Sequence, residues 1–597
     1  MRRTSILQLA LFTCFVAVAA AHGREVELAT SLRRPVALVV AGNDRWIYVA
    51  NQASGTISTI DLSASEVDTG ESTNAPVLAE DKVGQTLTDM VLSPDERFLF
   101  VTDEAAGQLI VIERQEKSLV VAARVPVAQA PQSVRVTRDG RTCYVTSLWG
   151  QAVTVVDLSG LASIDQTNAA VRVIAETPLP FAPRCQCLVE NDTRLIVTDA
   201  FGGSVAVFDT QNLKVVSVRE LLGHNIRGMA VSNDGRQLLL AHQVLNSYTE
   251  TLQKNVFWGA VITNVVRTLP IETFTSVAGE PLPATGAQTI GGLGAGAGDP
   301  AGLAVTAAGD AILTLAGVQE IALRRAGQFG WQRERVGRRP TALALSSDGR
   351  RALVANTFAD SVTTLDVGAF RVERTIKLGP QSELSAAQRG EQYFYDARLS
   401  LDGWFSCHSC HTDGHSNGLT SDNFGDGAAG APKRIPSLLG SVETGPWAWD
   451  GHVSLMEDQI RSSLVRTMRS PNPTDARVAG LAEFVRSLSA PPRPENVKPD
   501  DSLARQGEQI FARTGCTDCH RPPTYTSPAS YDVGIVDELG RDRFNPPSLR
   551  GVRLRPALFH DNRAGSLEDV LLRHRHGQAS ESPAEDVRAL LAFLRGL

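Results

Sequence analysis

The sequence predicts a multidomain protein: an N-terminal all-β seven-bladed propeller followed by two mainly α-helical domains. Three observations predict it. A strand–turn–strand pattern returns seven times between residues 30 and 380. The pattern ends near Leu378, where helical spacing takes over. Each half of the remaining chain, 381–490 and 491–597, carries one Cys-x-x-Cys-His motif.

The repeats begin at Arg34, Leu87, Ala130, Ala182, Ile226, Pro300 and Arg339. Each has an alternating apolar run, a turn such as Asp139-Gly140 or Asp348-Gly349, and a β-branched run. Alternation at period two broken by Asp-Gly means hairpins. Short strands repeating every ~40–50 residues mean propeller blades, and a closed ring leaves no exposed sheet edge. "IYVAN", "CYVTS" and "LVANT" stand at equivalent places in three copies. In these the repeat resembles the YVTN family of β-propellers, which implies a fold but no activity. Two stretches break the rhythm: "NSYTETLQKNVFWGAVITNVV" in the fifth copy, and the Gly- and Ala-rich residues 276–299. Each reads either as a surface loop or as a segment reaching toward the second part of the chain.

At 597 residues the chain is too long for one core. Its 43% hydrophobic and 21% charged residues are those of a globular protein. A net charge of −7 supplies no basic field, which argues against nucleic acid and anionic lipid as partners. Two arginines precede an apolar run from Ile6 to Ala21 that closes on small residues. That is the pattern of a secretory signal peptide, residues 1–21, and it predicts a periplasmic or secreted protein. No other segment is apolar enough to span a membrane. Cys14 fits a lipidation site poorly. Among the remaining cysteines, Cys143, Cys185 and Cys187 lie outside the motifs and serve as buried hydrophobes or supply one disulfide.

The motifs are Cys407-His408-Ser409-Cys410-His411 and Cys516-Thr517-Asp518-Cys519-His520. This is the attachment pattern of c-type haem. Cys407, Cys410, Cys516 and Cys519 form thioethers, and His411 and His520 become the proximal iron ligands. Zinc would require convergence on one tetrahedral centre and leaves the duplicated flanks unexplained. A thioredoxin-like dithiol would need a βαβ context. The two helical domains are therefore expected to be cytochrome c domains. In the first motif His408 reads as filler, and His415 has no assigned role.

The flanks repeat too. "RGEQYFYDARLS" and "QGEQIFARTG" precede the motifs; Ile435–Ile460 matches Pro546–Leu571 after them. With "WDG" at Trp449–Gly451 and "PSLRGV…FHD" at Pro547–Asp561, residues 381–597 resemble the di-haem bacterial cytochrome c peroxidases and their MauG-like relatives. The resemblance implies that one haem stores an electron and the other handles peroxide, with Trp449 as the electron bridge. It implies a sixth ligand for the second haem fourteen residues after His560, which is His574, with His576 as the alternative. For the first haem the family's distal histidine is missing, which leaves His452, Met468 or an open site. The family's catalytic Glu falls on Thr467, so Glu457 is the candidate substitute. The family's calcium-ligand positions fall on Arg434 and Arg555, which cannot coordinate a hard cation, so calcium is expected to be absent.

Two functions follow. The first is an exported di-haem oxidoreductase, taking electrons from a small cytochrome or copper protein to reduce hydrogen peroxide or oxidise a bound substrate. The second is a non-catalytic electron-transfer cytochrome with the propeller as docking platform.

Overall fold

The computed structural model describes residues 30–63, 77–115, 118–163, 171–276, 280–493, 502–577 and 583–597. The expected signal peptide lies outside them. No described helix is long and apolar enough to cross a membrane.

The predicted propeller is present. Residues Pro35–Lys377 form seven four-stranded antiparallel sheets, each built from four strands in chain order. The Asp-Gly turns work as the sequence implies. Gly140, Gly235 and Gly349 adopt φ of 69°, 69° and 67°, the left-handed conformation such turns favour. Inner strands such as Trp46–Asn51 and Arg351–Asn356 are buried almost throughout. The outermost strands alternate between covered and exposed, as in Arg371–Lys377. Among the described residues no strand is exchanged between blades one and seven. A clasp closes the ring instead: the carboxylate of Asp360 in blade seven accepts the backbone N–H groups of Arg33 and Arg34 at 3.0 and 2.8 Å.

The rest of the chain is helical with long connections. Helices α1 (Ala386–Phe394), α2 (Met456–Ser462), α3 (Asp475–Ser487), α4 (Ser502–Arg513) and α5 (Ala584–Gly596) frame it. The shared "GEQ" of the two approach segments has a packing reason. A Cβ on Gly390 of α1 would lie 1.8 Å from the Gly480 carbonyl oxygen of α3, and one on Gly507 of α4 would lie 2.0 Å from that of Ala589 in α5. Only glycine admits either crossing. One turn on, Phe394 meets Phe484 at 5.0 Å, and Phe511 meets Phe593 at 5.3 Å. The sequence duplication is thus a duplicated helix pair.

Both rhythm-breaking stretches reach the helical part. Residues 246–261 bring Val256 and Val261 into one core with Phe394, Trp404, Phe405 and Met468. The Gly-rich stretch ends in Gly296 and Gly298, whose N–H groups donate to the Asp402 and Gly403 carbonyls at 2.7 and 3.0 Å. A Cβ on Gly298 would sit 2.4 Å from the Ala397 Cβ, so glycine permits this backbone approach.

Candidate haem sites

The first motif sits in a short helical turn, Cys407–Cys410, docked on the propeller. Asp299, the last residue of the Gly-rich stretch, accepts from the hydroxyls of Ser406 and Ser409. His224 and Gln243 of blade five reach the Ser409 carbonyl and hydroxyl at 2.9 and 3.2 Å. Asp413 receives Arg184 and, at 2.6 Å, Arg227. Burial opposes its ionisation, but these two guanidiniums hold its pKa well below the usual carboxylate range. His408 is not filler. It is 2% exposed, its Nδ1 accepts the Asp413 N–H at 3.0 Å, and its ring packs 4.7 Å from that of Tyr395. None of these propeller contacts was legible in the motif; the one local signal was a glycine run ending in Asp.

Each motif opens into a cavity. The first, about 310 Å³, is lined by Cys407, Cys410 and His411. The second, about 220 Å³, is lined by Cys516, Cys519 and His520. The donor set fits haem. His411 Nδ1 lies 2.9 Å from the Pro436 carbonyl, and His520 Nδ1 lies 3.0 Å from the Tyr525 carbonyl. A carbonyl only accepts, so both Nδ1 atoms carry the proton and each neutral ring keeps its lone pair on Nε2, ready for metal. Burial pushes both imidazole pKa values down to about 4, which keeps them neutral at pH 7. Burial also raises the thiols of Cys407 and Cys410 to about 12, so both are neutral thiols. Among the described residues no cluster of three or more His, Cys, Asp or Glu could hold a metal ion. Cys143, Cys185 and Cys187 are free, so the disulfide admitted on sequence grounds is not formed; Cys143 is a fully buried hydrophobe.

Opposite His520 stands His576, not His574. The His520 and His576 rings are 6.4 Å apart at 66°, so the two imidazoles would together hold an iron bound between them. His574 directs Nε2 to the Arg563 carbonyl at 3.2 Å and does not line the cavity. The reason is a π-helical turn at Asp569–Arg573, after which the His574 and His576 N–H groups bond back to Asp569 and Val570. A matching π turn at Ser463–Thr467 precedes Met468 in the first half. There the residue equivalent to His576 is Ser470.

Around the first cavity, Met468 is 3% exposed with Sδ 3.9 Å from Cys407 Sγ. Gln459, Ser463 and Thr467 line the same wall, and Gln459 Oε1 is buried without a partner. Glu457 does not reach the cavity. It lies on the outer face of α2, where Arg486 donates to it at 2.6 Å and lowers its pKa. His452 is exposed and bonded to Asp450 at 2.6 Å, away from the cavity. His415 lines the cavity, with its ring 4.7 Å from Phe201 of the propeller.

Trp449 lines both cavities. Its Nε1 donates to the Arg434 carbonyl at 2.8 Å, and the Arg434 guanidinium lies 5.1 Å from its ring.

Residues 385–493 match the family model described as di-haem cytochrome c peroxidase, and residues 35–177 match that described as lactonase, 7-bladed β-propeller. The chain thus joins a propeller to a region related to the di-haem peroxidases. It is 28% identical over 271 residues to methylamine utilization protein MauG of Methylorubrum extorquens, covering 35% of this chain and 76% of that one. It is 23% identical over 311 residues to cytochrome c551 peroxidase of Nitrosomonas europaea, covering 41% and 92%. Among solved structures, Kuenenia stuttgartiensis hydrazine synthase superposes with a TM-score of 0.48 at 19% identity, covering 58% of this chain and 99% of that chain.

Proposed function

We propose that the protein is an exported di-haem oxidoreductase of the peroxidase type, with a propeller (30–380) and two cytochrome c domains (381–490 and 491–597). One observation carries this reading: the two attachment motifs open into cavities with opposite far walls. The second cavity sets an imidazole, His576, against its proximal His520. The first sets small polar side chains, Gln459, Ser463 and Thr467, into its wall. We therefore take His576 as the second site's distal ligand, in place of His574, and leave the first site's far face open to a small oxidant.

Each haem, when bound, supplies one-electron iron chemistry. The chain's own residues do the rest. His411 and His520, fixed by backbone carbonyls, are the proximal ligands. Gln459 Oε1, buried and without a partner, is placed to accept a hydrogen bond from a peroxide O–H. Met468 packs against the attachment sulfur of Cys407 and fills the cavity's edge. Trp449, shared by both walls, is the electron bridge. Glu457, paired outside with Arg486, is not assigned as the acid. Arg434 and Arg555 at the shared wall support the expected absence of calcium. The electron donor is proposed to be a small cytochrome or copper protein, and the compartment the periplasm or the exterior.

The electron-transfer reading is favoured by Thr467 at the place of the family's catalytic Glu. Against a propeller docking platform, one face of the ring is already occupied by the chain's own haem-attachment turn. The test is a covalent haem count by mass spectrometry joined to peroxide-dependent oxidation of a reduced small cytochrome. Two haems with turnover are expected; two haems without turnover would reject the enzyme.

A further inference from the structure

The wall between the two cavities is cationic, with no carboxylate paired to its two guanidiniums among the described residues. Arg434 and Arg555 line both cavities. Arg434 is 3% exposed; its Nε donates to the Phe559 carbonyl at 2.9 Å, and no carboxylate pairs with it among the described residues. Arg555 is half-buried. Its Nη2 donates to the Ser548 carbonyl and, at 3.4 Å, to that of Arg550, while its Nε is buried with no partner among the described residues. Burial pulls the two guanidiniums down to about 9 and about 10, and Arg555 repels the charge on Arg434. Leaving even one charge buried and uncompensated costs several kcal/mol, so a pair signals a missing anion.

Independent observations at the same wall agree. His415 lines the first cavity, and both ring nitrogens of His560 are buried beside the second; neither they nor His415 Nε2 has a hydrogen-bond partner among the described residues. His560 is 1% exposed, stacked 4.2 Å from Phe544. The nearby carboxylates are spent elsewhere: Asp426 pairs with Arg541 at 2.5 Å, and Asp561 pairs with Arg563 at 2.6 Å.

We propose that Arg434 and Arg555 form a carboxylate-binding site shared by the two cavities, occupied by a propionate of each haem. This fixed pair of cations would hold the two cofactors in register. The inference rests on the proposed attachment of two haems. His415 and His560 complete the site as hydrogen-bond partners. Trp449, under the Arg434 guanidinium, stands at the same wall.

The test uses purified holoprotein. Redox titration of the wild type between about pH 5.5 and about pH 8.5 should give flat potentials, because a carboxylate beside two cations stays ionised across that range. Excess calcium or EDTA should leave them unchanged. Arg434→Gln and Arg555→Gln should each shift the reduction equilibrium of a haem about tenfold toward the ferric state, or about 59 mV for one electron. They should also introduce a pH dependence, and Arg555→Lys should restore the wild-type behaviour. A wild type that titrates with pH, or responds to calcium or EDTA, would overturn the proposal even if both Gln variants failed to mature. Two attached haems with potentials indifferent to both substitutions would defeat the carboxylate site alone. A wild type without two thioether-linked haems would defeat the haem reading itself.

Discussion

Arg227 in the first strand of blade five donates to Asp413 across 2.6 Å, tying the propeller to the turn that follows the first attachment motif. Arg184 from blade four reaches the same carboxylate oxygen. The ring of blades is therefore part of the haem site's scaffold. Its buried contacts are charged, so removing one partner from either side has unequal consequences. Asp413→Ala leaves two buried guanidiniums unpaired and should cost about 3–5 kcal/mol. Arg227→Ala leaves Asp413 with Arg184 and should cost less. Thermal unfolding of the two variants, followed at the haem band, checks the order.

The Gly-rich stretch makes a second docking prediction. A Cβ at Gly298 would meet the Ala397 Cβ at 2.4 Å and the Gly403 carbonyl oxygen at 3.0 Å. Gly298→Ala should destabilise the protein by about 1–3 kcal/mol, the usual cost of overpacking. Gly294→Ala, with nothing within 4 Å of its added methyl, is the control, though its φ of 70° carries a small strain of its own. Denaturant midpoints should separate the two.

Asp199 gives a pH dependence with a definite sign. It lies in the propeller, 8% exposed, and burial raises its pKa to about 7, against the backbone N–H donors of Phe201 and Gly202 that favour the charged form. A carboxyl raised above its unfolded value of about 3.9 binds more protons folded than unfolded between those two values, so it costs stability as pH rises through that window. Asp199→Asn keeps an acceptor oxygen without the charge. It should leave stability near pH 4 unchanged and raise it by on the order of 2 kcal/mol at pH 8. Melting temperatures at the two pH values read the difference; equal effects at both would refute the assignment.

The distal assignment at the second site is directly separable. His576→Ala should convert a low-spin haem spectrum to high spin, and His574→Ala should not. His576→Met should raise that haem's potential, since a thioether favours the ferrous state relative to imidazole. An unchanged potential in His576→Met with a changed one in His574→Met would return the role to His574.

The propeller was readable because its signals are local: alternation at period two and Asp-Gly turns at Gly140 and Gly349 fix hairpins without distant contacts. The attachment motifs were readable because Cys407 to His411 and Cys516 to His520 are contiguous. Even the approach helices were legible as a duplication, although the reason for Gly390 and Gly507 is a helix crossing that only packing reveals. Spacing alone does not tell which side chain lines the cavity. A count of fourteen from His560 ends on His574, but the π turn at Asp569–Arg573 shifts the register and carries His576 to the cavity. Glu457 failed for a similar reason. It precedes Gln459 by two residues, roughly 200° around a helix, so the two face opposite ways. His408 looked replaceable because the motif tolerates any residue there; its burial comes from the Tyr395 and Asp413 it packs on.

The central claim is that the two sites differ, with His576 closing the second and the first left open. The most direct measurement is EPR and absorption spectroscopy of the half-reduced holoprotein before and after adding hydrogen peroxide. The account predicts one high-spin haem that reacts with peroxide and one low-spin haem. Two low-spin haems, both inert to peroxide, would contradict it.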